Sequence, residues 1–278
     1  MKLALFFRSG NKEAVVWAGK IRRRLKKRHP KIKFAESPAE RPGAVLVLGG
    51  DGTILEAARI FQKYQPVILG LNLGSTGFLA SVREPKKFFP SIEKFLKGDF
   101  KKVERMMIQA KVLRKNKIVF EASALNEITI QNFLGMAELE VAMEKYPIQH
   151  IRGSGVMVST STGSTAYNLS AHGPIVMPSI KCMVLTEIMD HNIPTPSIVV
   201  KRGMEIDIRV DDFRKRGMLS IKNTGVDADV ILSADGESIF PLEKSDLIKI
   251  TESPRLAKFA ELEPNYFFKS LHEKFAFR

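Results

Sequence analysis

The segment Gly49-Gly50-Asp51-Gly52-Thr53 sets a single carboxylate inside a glycine turn. Glycines let the backbone bend tightly and approach a phosphate with no Cβ in the way, and a helix N-terminus adds unpaired N–H groups. A carboxylate in such a cradle repels anions unless it takes a proton or a cation. Asp51 is therefore expected to act on a hydroxyl, as general base, or on a metal. A structural reading competes: Asp51 or Thr53 caps the helix and the glycines only form the turn. The turn is not a Walker A loop, because no Gly-Lys-Ser/Thr follows it.

Three further segments could meet a ligand. Leu71-Asn72-Leu-Gly74-Ser-Thr-Gly77-Phe78 places two glycines after the next apolar run, where open α/β sheets bind ligands. Taken alone, it reads as a structural turn sooner than as a ligand contact. Thr160 to Asn168 carries five hydroxyls in seven residues around Gly163, more than a helix cap needs, and offers donors to ribose, base edge or phosphate. Asn126-Glu127 is a polar pair at the start of a strand-like run, which by itself is a solvated strand end.

The elements that must position these residues follow from periodicity. Strand-like Leu3–Phe7, a basic helical segment from Glu13 to Arg28, and Lys31–Phe34 open the chain. Then come a buried strand over Ala44–Leu48, a helix over Ile54–Phe61, a strand over Pro66–Gly70 and an amphipathic helix over Phe88–Leu96. That alternation predicts a parallel sheet. After Gly98 the pattern turns to short β-branched runs: Val103–Leu113, Ile118–Glu121, Glu127–Ile130, Leu139–Met143, Val156–Thr160, Ser197–Val200, Ile206–Val210, Leu219–Lys222, Val230–Ser233 and Leu247–Ile250. They predict an antiparallel β-rich second domain with one helix, Thr165–Ala171. Residues 1–98 form the first expected domain and 99–254 the second. The tail 255–278 carries Phe259, Leu262, Tyr266, Phe267, Leu271, Phe275 and Phe277 at roughly helical spacing and is expected to pack on the first.

The 278 residues are 44% hydrophobic and 27% charged, the balance of a folded chain rather than a disordered one. An excess of 44 Lys and Arg over 30 Asp and Glu gives +14 and favours anionic partners. The basic stretch Arg22 to Arg28 reads as a solvated helix face. Cys182 is the one cysteine, so no internal disulfide or cysteine zinc site is possible, and an inert core position in a reducing compartment fits it. No apolar run approaches a bilayer span, so a soluble, cytoplasmic protein is expected, with no membrane partner. The histidines form no metal cluster, and His172 reads as a surface residue.

Together these segments resemble the NAD kinase family in order along the chain. They are Gly49–Thr53, Asn72–Leu79, Asn126-Glu127, Thr162–Tyr167 with Ser170 to Ile175, and Asp235-Gly236-Glu237. The resemblance implies an N-terminal Rossmann-like α/β domain, a C-terminal β-rich, β-sandwich-like domain, a tail that returns to the first domain, and an NAD site in the cleft between the domains. It implies transfer of a terminal phosphoryl group from ATP or polyphosphate to the 2′-hydroxyl of the adenosine ribose of NAD, with a divalent cation, Mg²⁺, bridging the donor phosphates. Asp51 would be the base. Gly49, Gly50, Gly52 and Thr53 would admit the phosphates, with Asn72 and Phe78 flanking. Asn126 and Glu127 would hold the adenosine, and Thr162, Ser164, Thr165, Ala166, Tyr167 and Ser170 would line the adenine side. Arg152 and Ser154 are expected at the nucleotide too, although Gly153-Ser154-Gly155 stands where the family commonly has Gly-Asp-Gly, a hydroxyl for a carboxylate. The partners expected are small-molecule nucleotides and further copies of the chain, as a dimer or tetramer. Two other readings remain: a lipid or sugar kinase sharing the Asp51 turn, and a non-catalytic nucleotide sensor or basic nucleic-acid binder.

Overall fold

The computed structural model describes residues 1–74, 77–191, 195–217, 219–221 and 226–275. The chain divides into two compact units, Met1–Arg105 with Arg255–Arg278, and Met106–Pro254.

In the first unit the order is β1 (Lys2–Phe7), α1 (Lys12–Arg28), β2 (Lys33–Ala35), β3 (Ala44–Leu48), α2 (Asp51–Phe61), β4 (Val67–Leu71) and α3 (Phe88–Lys97). The strands are parallel in the order β2-β1-β3-β4. All five residues of β3 are buried, as a central parallel strand covered on both faces requires. Helix α1 starts where the Asn11 side chain accepts the Ala14 N–H at 3.1 Å, and it buries Ala14, Ala18, Ile21 and Leu25 on one stripe. Each of the larger two contributes about 1.5–3 kcal/mol by leaving water. Its opposite face carries the basic stretch. Arg22 bonds Glu36 at 2.8 Å, and Arg24 lies over the Phe89 ring. Helix α3 ends at Gly98, whose left-handed φ of 81° lets its N–H reach Lys94 and Phe95 carbonyls.

The second unit is built from β5 (Lys101–Arg114), which begins in the first, then β6 (Lys117–Ala124), β7 (Glu127–Asn132), β8 (Ala137–Met143), β9 (Tyr146–Thr160) and the short helix α4 (Tyr167–Ser170). It continues through β10 (Cys182–Asp190), β11 (Ile198–Lys201), β12 (Ile206–Phe213), β13 (Leu219–Ile221), β14 (Val226–Ala228), β15 (Val230–Ala234) and β16 (Ser238–Pro241). Neighbouring strands run antiparallel along β16-β15-β7-β9-β8-β12, with β10 on β9 and β11 on β10. Burial alternates strictly along β8, and the inward residues join one core with Ile128, Ile130, Val156, Val158, Ile206 and Ile208.

The last strand, β17 (Leu247–Glu261), pairs with β12 through Leu247–Ile250 and, parallel, with β4 through Lys258 and Phe259. The chain thus returns to the N-terminal sheet and ends in α5 (Tyr266–Phe275). Three sequence expectations change here. Phe259 belongs to a strand rather than to the tail helix, which starts seven residues later. The expected helix Thr165–Ala171 is a 3₁₀ turn over Gly163–Thr165 followed by α4, broken at Ala166 with φ −102° and ψ −128°. Strands β10, β14 and β16 have no counterpart among the expected runs. Lys222 and Phe277 lie outside the described residues.

Candidate active site

Three backbone features shape the Asp51 turn. Gly49 closes β3 with φ +154°, and a Cβ there would fall 2.5 Å from Thr53 Oγ1, so the position takes only glycine. Gly50 is the N-cap of α2 and makes no side-chain cap bond, which sets aside the reading of Asp51 or Thr53 as the cap. A Cβ on Gly50 or Gly52 would meet no described atom within 4 Å, so there is room against the helix start for a group from outside.

Asp51 opens α2, and its carboxylate turns toward the segment after β4. The Phe78 N–H donates to Oδ2 at 2.7 Å and the Leu79 N–H to Oδ1 at 3.1 Å. Gly77 has to be glycine, because a Cβ would lie 2.2 Å from Oδ1. An ionised carboxylate has about four acceptor positions, so two amides fix its direction and leave it basic sites for a hydroxyl. Phe78 thus contributes its amide, while its ring packs on Phe267 of α5 at 5.9 Å. The Leu79 amide carries no side-chain signal in a sequence and was missed. Asn72 is buried and closes its own turn, accepting the Gly74 N–H at 3.1 Å. Ser75 and Thr76 of that turn lie outside the described residues.

In the second unit one cluster gathers around the start of β7. The Asp235 carboxylate accepts the N–H groups of Leu125 and Asn126, both at 2.8 Å, and of Glu127 at 3.2 Å. Thr160 Oγ1 donates to the Leu125 carbonyl at 2.6 Å and accepts from the Thr162 and Gly163 amides. Gly163 lies against the Asn126 backbone so closely that a Cβ would fall 2.2 Å from its carbonyl oxygen. Asn126, Glu127, Thr162 and Tyr167 are thereby brought together. Burial, with the Asp235 charge second, pushes the Glu127 carboxyl up to about 8, against a bond from the Tyr167 amide. Glu127 Oε2 and Thr162 Oγ1 are buried without a partner among the described residues. Unmet buried acceptors and donors of this kind suit a polar ligand.

The other hydroxyls are spent internally. Ser164 Oγ donates to the Ser161 carbonyl at 2.8 Å and accepts the Val176 N–H at 3.0 Å, and Thr165 Oγ1 reaches the Thr162 carbonyl. Asn168, fully buried, accepts from Thr186 Oγ1 at 2.7 Å and donates to the Pro174 carbonyl, clamping the segment to β10. Ala166 is half-buried, and Ser170 and His172 are exposed. Arg152 and Ser154 are not part of the cluster. Glu127 faces Ser159 across the ladder, five residues from Ser154, or roughly 17 Å along one strand. Arg152 is exposed and pairs with Glu138 at 3.2 Å. Cys182 is a buried free thiol.

Among the described residues no three His, Cys, Asp or Glu side chains form a metal cage. No helix among the described residues is long and apolar enough to cross a membrane.

A model described as the ATP-NAD kinase N-terminal domain matches residues 4–100, and one described as the ATP-NAD kinase C-terminal domain matches residues 125–262. The NAD kinase of Moorella thermoacetica is 35% identical over 247 residues, 88% of this chain and 75% of that protein. That of Geobacter sp. strain M21 is 32% identical over 261 residues, 91% of this chain and 86% of that one. In structure, the chain resembles yeast NADH kinase complexed with NADH, with TM-score 0.86, 20% identity, and coverage of 100% of this chain and 88% of that one. It also resembles an NAD kinase from Archaeoglobus fulgidus in complex with ATP, with TM-score 0.75, 24% identity, and coverage of 99% and 98%. At these identities the two structural matches speak to the fold.

Proposed function

This chain belongs to the NAD kinase family, and on that premise we propose that Asp51 takes the proton from the adenosine 2′-hydroxyl of NAD as that oxygen attacks the terminal phosphorus of the donor. The observation that carries this reading is the Asp51 carboxylate, aimed by two backbone amides beside a glycine turn with open room at a helix start. Phosphoryl transfer asks a protein for alignment and charge compensation more than for covalent chemistry. The amides of the Gly50–Gly52 turn receive phosphate oxygens, and Asp51 holds the proton at one carboxylate oxygen.

The second unit recognises the adenosine. Glu127 and Thr162 offer the unmet oxygens for ribose and base, while Asn126 and Tyr167 stand with them. Ser164 and Thr165 keep the turn in shape rather than touch the nucleotide. Arg152 and Ser154, farther along β9, meet the other half of an extended dinucleotide. A divalent cation, with Asp51 as the only carboxylate of the Gly49–Thr53 turn, would offset the charge on the donor phosphates when bound. The NADH and ATP complexes of the yeast and Archaeoglobus proteins support both nucleotides as ligands here.

The test is Asp51→Asn. Turnover of NAD to NADP with magnesium and ATP should fall ~10²–10⁴-fold while equilibrium binding of NAD is kept. Near-parental turnover would remove Asp51 as the base. Running the same assay with polyphosphate decides the donor. Diacylglycerol and fructose 6-phosphate as acceptors address the lipid and sugar kinase readings.

A further inference from the structure

The amides that aim Asp51 belong to the segment after β4, and that segment is held from the far end of the chain. Tyr266, the first residue of α5, is 5% exposed. Its hydroxyl donates to the Ala80 carbonyl and stands 3.5 Å from the Gly77 carbonyl oxygen. The Gly77–Phe78 peptide is one rigid plane, so its C=O and N–H point in opposite directions. One edge faces the Tyr266 phenol, and the other edge donates to Asp51.

Other contacts bind the same stretch to the tail. Ser81 Oγ donates to the Ala260 carbonyl at 2.5 Å. Arg83 lies 4.7 Å over the Tyr266 ring and bonds Ser270 and Glu273 of α5. The Phe78 ring sits 5.9 Å from Phe267 and 6.2 Å from Phe275.

We infer that Tyr266 is a positioning residue for the phosphoryl transfer: through the Gly77–Ala80 backbone it fixes the two amides that orient the Asp51 carboxylate. The inference rests on Asp51 as the base, and a merely structural Tyr266 would behave differently. Loss of aim at the reacting group lowers kcat, whereas loss of packing lowers stability and spreads over kinetic constants.

Tyr266→Phe keeps the ring under Arg83 and removes only the hydroxyl. Its kcat should fall roughly 10- to 100-fold, the scale of a small misplacement of a reacting group. The KM for NAD should stay within about twofold of the parent, because no part of the adenosine cluster is touched. Hydrogen exchange at the Phe78 and Leu79 amides should quicken while the β3 amides keep their protection. In the Asp51→Asn background, adding Tyr266→Phe should change turnover by less than about twofold, because two residues acting through one group are not additive. Full kcat in Tyr266→Phe, or unchanged exchange at both amides, would overturn the inference. So would an equal loss repeated on top of Asp51→Asn, and that result leaves the base standing. Parental turnover in Asp51→Asn alone would remove the base and this inference with it, so the two failures are told apart.

Discussion

At the scale of single residues, the chemistry of the site comes from groups whose usual partners are withheld or imposed. Asp51 is aimed by amides, whereas Glu127 is deprived: it is buried beside Asp235 with one oxygen unmet. Its carboxyl titrates near about 8 in the folded protein against an ordinary 4.5, with burial as the chief cause. The sign follows from proton binding. Between those two values the folded chain holds a proton that the unfolded chain has released, so stability declines as pH rises across the window. Below it both states are protonated, so the contribution is fully present and Glu127 adds nothing to the slope. Glu127→Gln, neutral at every pH, should remove that part of the slope. Thermal melts from about pH 5 to about pH 9 should show the parent losing more Tm than the variant. An equal slope in both would mean that Glu127 is ionised in the folded protein. Asp235 was legible only as part of a family-like motif. Its work, capping three successive amides at the start of β7, depends on a partner more than a hundred residues away, which periodicity cannot show.

At the scale of elements, the strands and helices that deliver the first turn are plain in the sequence because each is short, local and strongly patterned. Ala44–Leu48 and Phe88–Lys97 are examples. The elements that were hidden break a local rule for a long-range gain. β10 opens Cys-Met-Val-Leu and closes Ile-Met-Asp, with only two β-branched residues before its last three, and pairing with β9 and β11 makes it a strand. The start of β17 was expected over Leu247–Ile250, but its continuation to Glu261 was not, because it runs through Pro254, a residue that ordinarily ends a strand. Here the proline falls between the stretch paired with β12 and the stretch paired with β4. The hydroxyl-rich segment that begins at the end of β9 was legible as unusual, yet its density had a second cause. One of its hydroxyls, Thr160 Oγ1, ties the end of β9 to the strand start at Leu125 and closes the turn at Thr162 and Gly163. Thr160→Val keeps the shape and strands these groups. It should cost about 1–3 kcal/mol of stability in urea titration, the penalty for a buried group left unpaired. The KM for NAD should rise with little change in kcat, because the displaced turn carries Thr162 rather than Asp51. A kcat-only effect would contradict that division of labour.

At the scale of the whole molecule, a net charge of +14 acts on every anion that approaches, whatever its fit to the site. The pairs on the surface spend part of it locally. Arg8 bonds Glu56 and Arg22 bonds Glu36, each at 2.8 Å, and Arg202 bonds Glu252 at 2.6 Å. Exposed pairs of this kind stabilise little and leave the long-range field set by the excess. Both substrates of an NAD kinase are anions, so that field should speed their encounter and weaken within a Debye length of about 10 Å at 0.1 M salt. On the proposed mechanism, with Asp51 as the base, the catalytic step answers to other forces. Asp51 is held by short bonds to amides, which screening reaches far less than it reaches separated charges. Raising potassium chloride from about 0.05 to about 0.5 M at fixed magnesium-ATP should therefore lower kcat/KM for NAD severalfold while kcat stays within about twofold. The measurement is a set of initial-rate curves at each salt concentration, with thermal melts alongside to exclude unfolding. A flat kcat/KM would show that the excess charge lies where the substrates do not pass. A fall in kcat of the same size would show that the aim of Asp51 depends on exposed ion pairs rather than on the buried backbone that α5 holds in place.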